Sequence, residues 1–221
     1  EMTDIVPKPM VEVGGHPMLW HIMKLYAHHG ITEFVIALGY KGEVVKDYFI
    51  NYHLRKSDCT VDLNTGVTDL HGGRHSENWR ITLVDTGSDV MTGGRILRLR
   101  EHLEGKPFML TYGDGIADID VRSLFEFHCK SKTKATLTAV HPKTHYGELE
   151  IEDEVVVNFV EKPEFRQSWI NGGFMVLENS VIDLIEGDKT VFEREPLEQL
   201  TATQELSAYR HAPQPVVKPA P

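Results

Sequence analysis

The sequence predicts an α/β protein in which helices cover a parallel or mixed β-sheet. Short segments that are apolar along nearly their whole length, such as "EFVIALGY" at residues 33–40, alternate with longer segments whose apolar residues recur at helical spacing. Uninterrupted apolar strands are typical of sheets that helices bury. The order strand, helix, strand repeats along the first half of the chain, which is typical of such an α/β sheet.

Each element follows from its own local signals. Helices are predicted where apolar residues recur at helical spacing: residues 17–29, 41–56, 95–103, 120–131 and 180–186. Strands are predicted at the apolar runs: residues 33–40, 79–87, 107–114, 134–140, 147–151, 155–163 and 171–177. The first helix has clear limits, because Pro17 opens it and Gly30 follows it.

Two segments interrupt this alternation. Residues 58–78 are polar and contain Gly66, Gly72 and Gly73, which predicts hairpins or a flexible insertion. Residues 212–221 contain four prolines, so we expect an extended arm or a loop there. The remainder, residues 1–211, is predicted to form one domain that includes the insertion.

The composition limits the partners and the compartment. The 221 residues include 23 Lys and Arg against 33 Asp and Glu, so the formal net charge is −10. An acidic chain repels nucleic acid, although a few well-placed cations can still bind a small anion. Two cysteines are too few for a disulfide framework, so we expect a reducing, cytoplasmic compartment. No apolar run reaches the ~20 residues of a membrane span, and no signal peptide is visible.

The segment "YGDG" places Asp114 between Gly113 and Gly115, where a predicted strand ends. Ligands bind at the carboxyl ends of strands in open α/β sheets, and the glycines let a ligand or the backbone approach closely. A lone carboxylate there suits Mg²⁺, which takes one or two carboxylates and completes its shell with water and phosphate oxygens. The alternative is a simple turn, since Asp and Gly are common turn residues.

Lys8 lies between Pro7 and Pro9 in "VPKPM". Proline fixes its own φ angle and pushes the preceding residue towards an extended conformation, so a stiff segment directs this ammonium group. A rigidly presented cation suits phosphate binding, whereas the alternative is an exposed lysine in a proline-rich loop. No P-loop motif occurs in the sequence.

Two further segments combine glycines with charged residues. The segment "DTGSDVMTGGR" follows a predicted strand and ends at Arg95, and backbone amides at a strand–helix junction can bind a base edge or a phosphate. Glu161 and Lys162 lie at the end of the strand predicted at 155–163. A carboxylate and an ammonium group there can bind sugar hydroxyls and a phosphate, and the alternative is a surface ion pair. Gly172 and Gly173 mark either the close approach of a ligand or a β-bulge.

Taken together, "PKPMVEVGGHPMLWHIMK", "LVDTGSDVMTGGR", "YGDG", "VEKP" and "NGGF" occur in an order that resembles the sugar-1-phosphate nucleotidylyltransferases. The resemblance covers residues 1–211, and its "LWHIMK" and "MTGGR" segments point to the branch that transfers a cytidylyl group. It implies a Rossmann-like (GT-A-like) three-layer fold with a mixed, mainly parallel central sheet. It also implies an enzyme that joins CTP and α-D-glucose 1-phosphate into CDP-glucose and pyrophosphate with Mg²⁺, for the dideoxyhexoses of bacterial surface polysaccharides.

The resemblance also implies roles for individual residues. Asp114 would hold the metal, Gly113 would contact the nucleotide beside it, and Lys8 would bind phosphate and act in catalysis. Thr86 and Arg95 belong to the implied nucleotide-binding loop. The residues implied to bind the sugar phosphate are Gly147, Glu161, Lys162, Asn171 and Gly172.

The sequence departs from the family pattern at both ends. The family begins with a strand and a glycine-rich loop of pattern "GGxGTRL", which would precede residue 1. Either that segment lies upstream or the protein lacks it, and in the second case we expect little or no activity. The family's second metal-binding aspartate, in a "W-x-P-x-D" context after "AYRH", has no counterpart in the tail.

Three alternatives stay open on the sequence alone. UTP or dTTP can replace CTP in related enzymes of this class, and the sequence does not decide the base physically. A non-catalytic regulatory protein that binds sugar nucleotides is a different class on the same fold. Relatives form homo-oligomers, so we expect a trimer or a hexamer in which residues 58–78 and the tail serve as assembly arms.

Overall fold

The computed structural model describes residues 6–72, 77–141, 148–152, 154–160 and 169–211. The chain divides into two compact units. The first unit comprises Glu1–Lys106, Gly113–Ile116 and Asn179–Gln199. The second comprises Pro107–Tyr112, Ala117–Glu178 and Leu200–Pro221.

The first unit alternates strands and helices along residues 12–98. These elements are, in chain order, β1 (Glu12–Val13), β2 (His16–Pro17), α1 (Met18–His28), β3 (Glu33–Leu38), α2 (Gly42–Ile50), α3 (Tyr52–Lys56), β4 (Asp58–Asp62), β5 (Val67–His71), β6 (Arg80–Asp85) and α4 (Thr92–Arg98). Short 3₁₀ helices cover Lys8–Met10, Arg100–His102 and Asn179–Leu184.

Strands β3 and β6 position the candidate site of the first unit. They pair in parallel over their full length, from Glu33 opposite Arg80 to Leu38 opposite Asp85, so their carboxyl ends lie side by side. A buried apolar cluster includes the last residue of β3 and is formed by Met10, Leu19, Met23, Leu38, Val45 and Tyr48. Burying one side chain of this size stabilises the fold by about 1.5–3 kcal/mol. The cluster therefore fixes the end of β3 to α1, to α2 and to the Lys8–Met10 turn.

The second unit contains a mixed sheet. Its elements are β7 (Phe108–Thr111), α5 (Val121–Ser131), β8 (Ala135–Val140), β9 (Glu148–Glu152), β10 (Val155–Val160), β11 (Ile170–Leu177) and β12 (Leu206–Arg210), while α6 (Glu195–Ala202) begins in the first unit and ends in the second. The strand order is β12–β8–β11–β7. Strand β12 runs parallel to β8, and β11 runs antiparallel to both β8 and β7. The predicted α/β architecture with a mixed sheet is confirmed.

Most predicted elements are present, and the differences have local causes. The helix predicted at 41–56 divides at Asn51, whose side-chain amide donates to the backbone carbonyl of Asp47 at 3.1 Å and to its carboxylate at 2.7 Å. The Asn51 backbone amide donates to the same carbonyl at 3.1 Å, so the side chain adds a second donor at the end of α2. The helix predicted at 180–186 is the 3₁₀ helix Asn179–Leu184.

The polar segment at 58–78 contains the antiparallel hairpin β4–β5, with Asp58 opposite His71 and Asp62 opposite Val67. Helix α6 and strand β12 were not predicted from the sequence, and both are short. The proline-rich tail lies outside the described residues, so its extended form stays a prediction. Among the described residues, no helix combines the length and apolar character that crossing a membrane requires.

Candidate active site

Lys8 extends from a rigid turn. The 3₁₀ helix Lys8–Met10 follows Pro7, whose backbone is extended (φ −64°, ψ 146°) and whose carbonyl accepts a hydrogen bond from the Met10 amide at 2.8 Å. Met10 is buried and anchors the turn in the apolar cluster, whereas Lys8 is exposed. The two prolines fix the φ angles on either side of the residue that carries the ammonium group. The extended conformation expected for Lys8 before Pro9 is wrong, because Lys8 begins the 3₁₀ helix that the hydrogen bond from Met10 to Pro7 closes.

The turn that carries Asp114 lies against this segment. A Cβ atom placed on Gly113 would lie 3.1 Å from Cγ of Pro9, which is closer than ordinary van der Waals contact. Glycine at this position permits the close approach of the two chain segments. Asp114 itself is exposed, and the space around Gly115 is open. The residues next to Lys8 and Asp114 are therefore in contact with each other.

The side chains of Lys8 and Asp114 form no hydrogen bond or ion pair with the part of the chain that the structure describes. Within the same described ranges, no group of three His, Cys, Asp or Glu side chains is arranged to hold a metal ion. Asp114 thus offers a single free carboxylate. That donor set fits a Mg²⁺ ion that completes its shell with water and phosphate oxygens, and it does not fit a site built entirely from protein ligands.

Thr86 and Arg95 meet at the carboxyl ends of β3 and β6. The Arg95 guanidinium donates through Nη1 to Oγ1 of Thr86 at 2.7 Å and to the Leu38 carbonyl at 3.2 Å. The Thr86 side chain is fully buried, and its hydroxyl donates to the same Leu38 carbonyl at 2.7 Å. In this structure the Thr86 hydroxyl therefore supports Arg95 and is not itself open to a ligand.

Helix α4, which carries Arg95, is held by the segment that contains Asp188 and Thr190. The Met91 amide donates to the Asp188 carbonyl at 2.8 Å, and the Gly93 amide donates to the Thr190 carbonyl at 3.0 Å. These two amides at the strand–helix junction already have backbone partners and are not open to a phosphate.

The glycine pair Gly93–Gly94 explains how closely α4 docks. A Cβ atom on Gly94 would lie 2.6 Å from Cα and from the carbonyl oxygen of Asp188, so no larger residue fits without moving backbone. Arg98 adds two hydrogen bonds to the Asp188 carboxylate, at 2.9 Å and 2.7 Å, which lower the pKa of that carboxyl group. The segment therefore fixes the position from which Arg95 reaches the strand ends.

Asn171 and Gly172 lie at a β-bulge in strand β11 of the second unit. The Asn171 side chain accepts a hydrogen bond from the Gly173 amide at 2.9 Å. A Cβ atom on Gly172 would lie 2.9 Å from Oγ1 of Thr138, so the strand passes close to a neighbouring side chain. These glycines have a structural reason for being there, and the predicted role in sugar binding stays a prediction.

Comparison with known proteins identifies the family. The family model described as "Nucleotidyl transferase" matches residues 1–214. The chain belongs to the nucleotidyl transferase family. The resemblance that the sequence motifs indicated is therefore confirmed.

Relatives and solved structures of this family agree with that assignment. The glucose-1-phosphate cytidylyltransferases of Salmonella typhi and Salmonella typhimurium are each 49% identical over 212 residues, which covers 96% of this chain and 82% of theirs. The crystal structure of HddC from Yersinia pseudotuberculosis is similar with a TM-score of 0.66 at 22% identity, over 93% of this chain and 81% of that one. At that identity the structural similarity shows the shared fold alone.

The geometry connects some of the predicted residues of this nucleotidyl transferase. In the first unit, Pro9 links Lys8 to the Asp114 turn, and the cluster that holds Met10 and Leu38 links Lys8 to the Arg95 site. Gly147, Glu161 and Lys162 lie outside the described residues, so their predicted roles stay predictions. The Leu38 carbonyl and Gly39 were not predicted from the sequence, since only the tertiary structure brings a distant arginine to a strand end.

Proposed function

We propose that this protein transfers the cytidylyl group of CTP to α-D-glucose 1-phosphate, giving CDP-glucose and pyrophosphate. The observation that carries the proposal is the 49% identity to glucose-1-phosphate cytidylyltransferases over 96% of the chain. The packing of the Asp114 turn against the Lys8 segment supports it, because this reaction needs an anion ligand and a metal ligand close together.

The mechanism follows from charge. A phosphate oxygen of glucose 1-phosphate attacks the α-phosphorus of CTP, and pyrophosphate leaves from the opposite side. The attacking oxygen is already anionic near neutral pH, so the enzyme needs no general base. The obstacle is the mutual repulsion of two polyanions. Lys8 and Arg95 offset that repulsion and hold the nucleotide phosphates in line for attack.

Asp114 is the residue that we assign to the metal. A single exposed carboxylate with open space at Gly115 suits Mg²⁺, which supplies positive charge to the phosphate oxygens when it is bound. In this assignment Asp114 orients the ion, and Gly113 lets the turn sit close to Pro9 and to the nucleotide.

We assign the sugar phosphate to the residues that the family resemblance implies for it. Lys162 would bind its phosphate and Glu161 its hydroxyls, while Gly147, Asn171 and Gly172 would form the wall of its pocket. Such a set provides one cation for the phosphate, and a carboxylate and neutral hydrogen-bonding groups for the sugar hydroxyls, which matches a phosphorylated sugar. We further propose that the CDP-glucose is made in the cytoplasm for surface-polysaccharide dideoxyhexoses, consistent with Cys59 and Cys129 being free thiols.

We also propose that the protein is a homo-oligomer, a trimer or a hexamer, in which hairpin β4–β5 contacts a second copy. All ten residues of its two strands are exposed. Cys59, Val61 and Leu70 share one face of the hairpin, since Cys59 lies opposite Leu70 and alternate residues point to the same side. An isolated two-stranded hairpin is at best marginally stable in water, so a covering partner would explain its regular pairing.

The function is tested by supplying full-length protein with Mg²⁺, glucose 1-phosphate and one nucleoside triphosphate at a time. We expect pyrophosphate release with CTP and at least tenfold less with UTP or dTTP. Release with UTP or dTTP but not with CTP would contradict the base assignment. Binding of CDP-glucose without any pyrophosphate release would instead support a non-catalytic, sugar-nucleotide-binding regulator.

A further inference from the structure

The Arg95 guanidinium is held only by neutral oxygens. Its partners are Oγ1 of Thr86 at 2.7 Å, the Leu38 carbonyl at 3.2 Å and, more weakly, the Ser88 carbonyl at 3.4 Å. No carboxylate among the described residues pairs with it. Two other arginines of the same unit differ, since Arg98 binds Asp188 and Arg100 binds Asp183. Arg95 is therefore fixed in direction while its positive charge stays uncompensated.

The hydrogen-bond inventory leaves one side of this guanidinium open. Arginine has five N–H groups. Nη1 donates to two of the three oxygens, and Nη2 donates to the third. Within the described residues, Nε–H and the second Nη2–H have no acceptor. Two N–H groups of one guanidinium can bind a phosphate or a carboxylate with two parallel hydrogen bonds.

Gly39 makes room for this arrangement. It follows the last residue of β3, and a Cβ atom there would lie 2.3 Å from Nη1, 2.4 Å from Nη2 and 2.6 Å from Cζ of Arg95. Real atoms do not approach so closely, so any side chain at residue 39 must displace the guanidinium. The obstructed group is the far end of a flexible side chain, and it can move without shifting the backbone.

Thr86 supplies the second constraint. Its hydroxyl donates to the Leu38 carbonyl at 2.7 Å and accepts from Arg95, while its backbone amide donates to the same carbonyl at 2.8 Å. The threonine thus locks the two strand ends together and presents an oxygen to Arg95. Because the side chain is fully buried, a ligand does not compete for this hydroxyl.

We propose that Gly39 and Thr86 are positioning residues that hold the Arg95 guanidinium across the ends of β3 and β6. In that position, the unoccupied N–H groups of Arg95 determine the affinity for the nucleotide phosphates. The inference rests on the proposed function, in which Arg95 binds the nucleotide. It adds two residues that need not touch the nucleotide. Preorganisation is the physical basis, since an arginine already fixed in place loses little conformational freedom when the anion binds.

The first test is Gly39→Ala in the full-length protein, with Gly187→Ala as the matched control. A Cβ atom on Gly187 would meet nothing within 4 Å, and its backbone is not in the left-handed region. We expect Gly39→Ala to raise the dissociation constant for CTP about tenfold, the loss expected for one or two charge-assisted hydrogen bonds. Its thermal midpoint should stay near that of Gly187→Ala, since only a half-buried side-chain end moves.

The second test separates positioning from general damage. Thr86→Val removes the hydroxyl at nearly constant volume and should weaken CTP binding, whereas Thr86→Ser keeps the hydroxyl and should restore most of the affinity. Gly39→Ala should weaken CTP binding in the wild-type background but have no further effect in an Arg95→Ala background. Non-additivity of this kind reports direct coupling between two residues.

The outcomes distinguish this inference from the function on which it rests. Normal CTP affinity in Gly39→Ala, or an equal loss in the presence and absence of Arg95, would overturn the inference while the proposed function stands. Failure of the wild-type protein to bind any nucleoside triphosphate would contradict the proposed function and this inference with it. A loss that appears only when Arg95 is present supports both.

Discussion

At the scale of single residues, the site depends on charges without partners. Lys8 and Asp114 are exposed, and neither side chain is paired within the described part of the chain, although their neighbours Pro9 and Gly113 are in contact. Surface ion pairs contribute little to stability, so removing an unpaired surface charge should barely affect folding. A large loss of activity on removing either charge would then reflect a role in the reaction, since folding would be unaffected.

We therefore expect Asp114→Asn to lower kcat by about 100-fold or more, because the amide removes the negative charge that orients the metal. The thermal midpoint should remain unchanged. Asp118→Asn is the matched control, since Asp118 is also exposed and unpaired within the described residues. Steady-state pyrophosphate release by the two variants measures the difference. Equal turnover of both variants would remove Asp114 from the mechanism.

At the scale of elements, the docking of α4 decides where Arg95 lies. Glycine is a poor helix former, yet Gly93 and Gly94 lie in α4 because the backbone at Asp188 and Thr190 leaves no room for a side chain. The prediction from sequence treated "TGGR" as part of a ligand-binding loop. The structure shows that its glycines serve helix packing, and only Arg95 presents a free charge.

Gly94→Ala tests this packing. Alanine in a helix should stabilise by about 1 kcal/mol, but overpacking against immobile backbone costs about 1–3 kcal/mol, so we expect a net loss of stability. A net loss of up to about 2 kcal/mol corresponds to a fall in the thermal midpoint of up to ~8 °C for a chain of this size. Differential scanning calorimetry measures the midpoint. A variant more stable than wild type would show that α4 docks less tightly than the structure indicates.

Sequence reasoning predicted elements better than it predicted contacts. Helix α1 and strands β3 and β6 follow directly from periodicity and apolar runs, so they were predicted within a few residues. The helix divides at Asn51, where the side chain bonds the preceding turn, and no periodicity reveals that division. Lys8 and Asp114 were predicted as site residues because prolines and glycines surround them, and their roles stay predictions. The role of Gly39 was invisible, because residue 95 reaches it only in the folded chain.

At the scale of the whole molecule, the net charge of −10 opposes the binding of anionic substrates. If Lys8 and Arg95 bind the substrates as we propose, these local cations act against a repulsive background that extends over the Debye length of about 8–10 Å. Raising the salt concentration screens both effects. The fixed, uncompensated charge of Arg95 is consistent with this demand on the site.

Association of whole molecules is tested on hairpin β4–β5. We expect Val61→Asp to shift the protein towards monomers, because it places a charge on the apolar face that we assign to a second copy. Thr60→Asp is the control, since residue 60 lies on the opposite face of the same strand and is also exposed. Sedimentation velocity measures the distribution. Identical oligomers in both variants would place the interface elsewhere, and a monomeric wild-type protein would contradict the oligomer itself.

The central claim is that Asp114 holds the metal and Lys8 holds a phosphate at one nucleotide site. Crystals of the full-length protein with CTP and Mn²⁺ test it directly, because the anomalous signal locates the ion independently of the protein density. We predict one manganese peak bound to the Asp114 carboxylate and to phosphate oxygens of CTP, with Nζ of Lys8 hydrogen-bonded to the same triphosphate. A nucleotide-bound manganese ion away from Asp114, or a triphosphate out of reach of Lys8, would contradict the account.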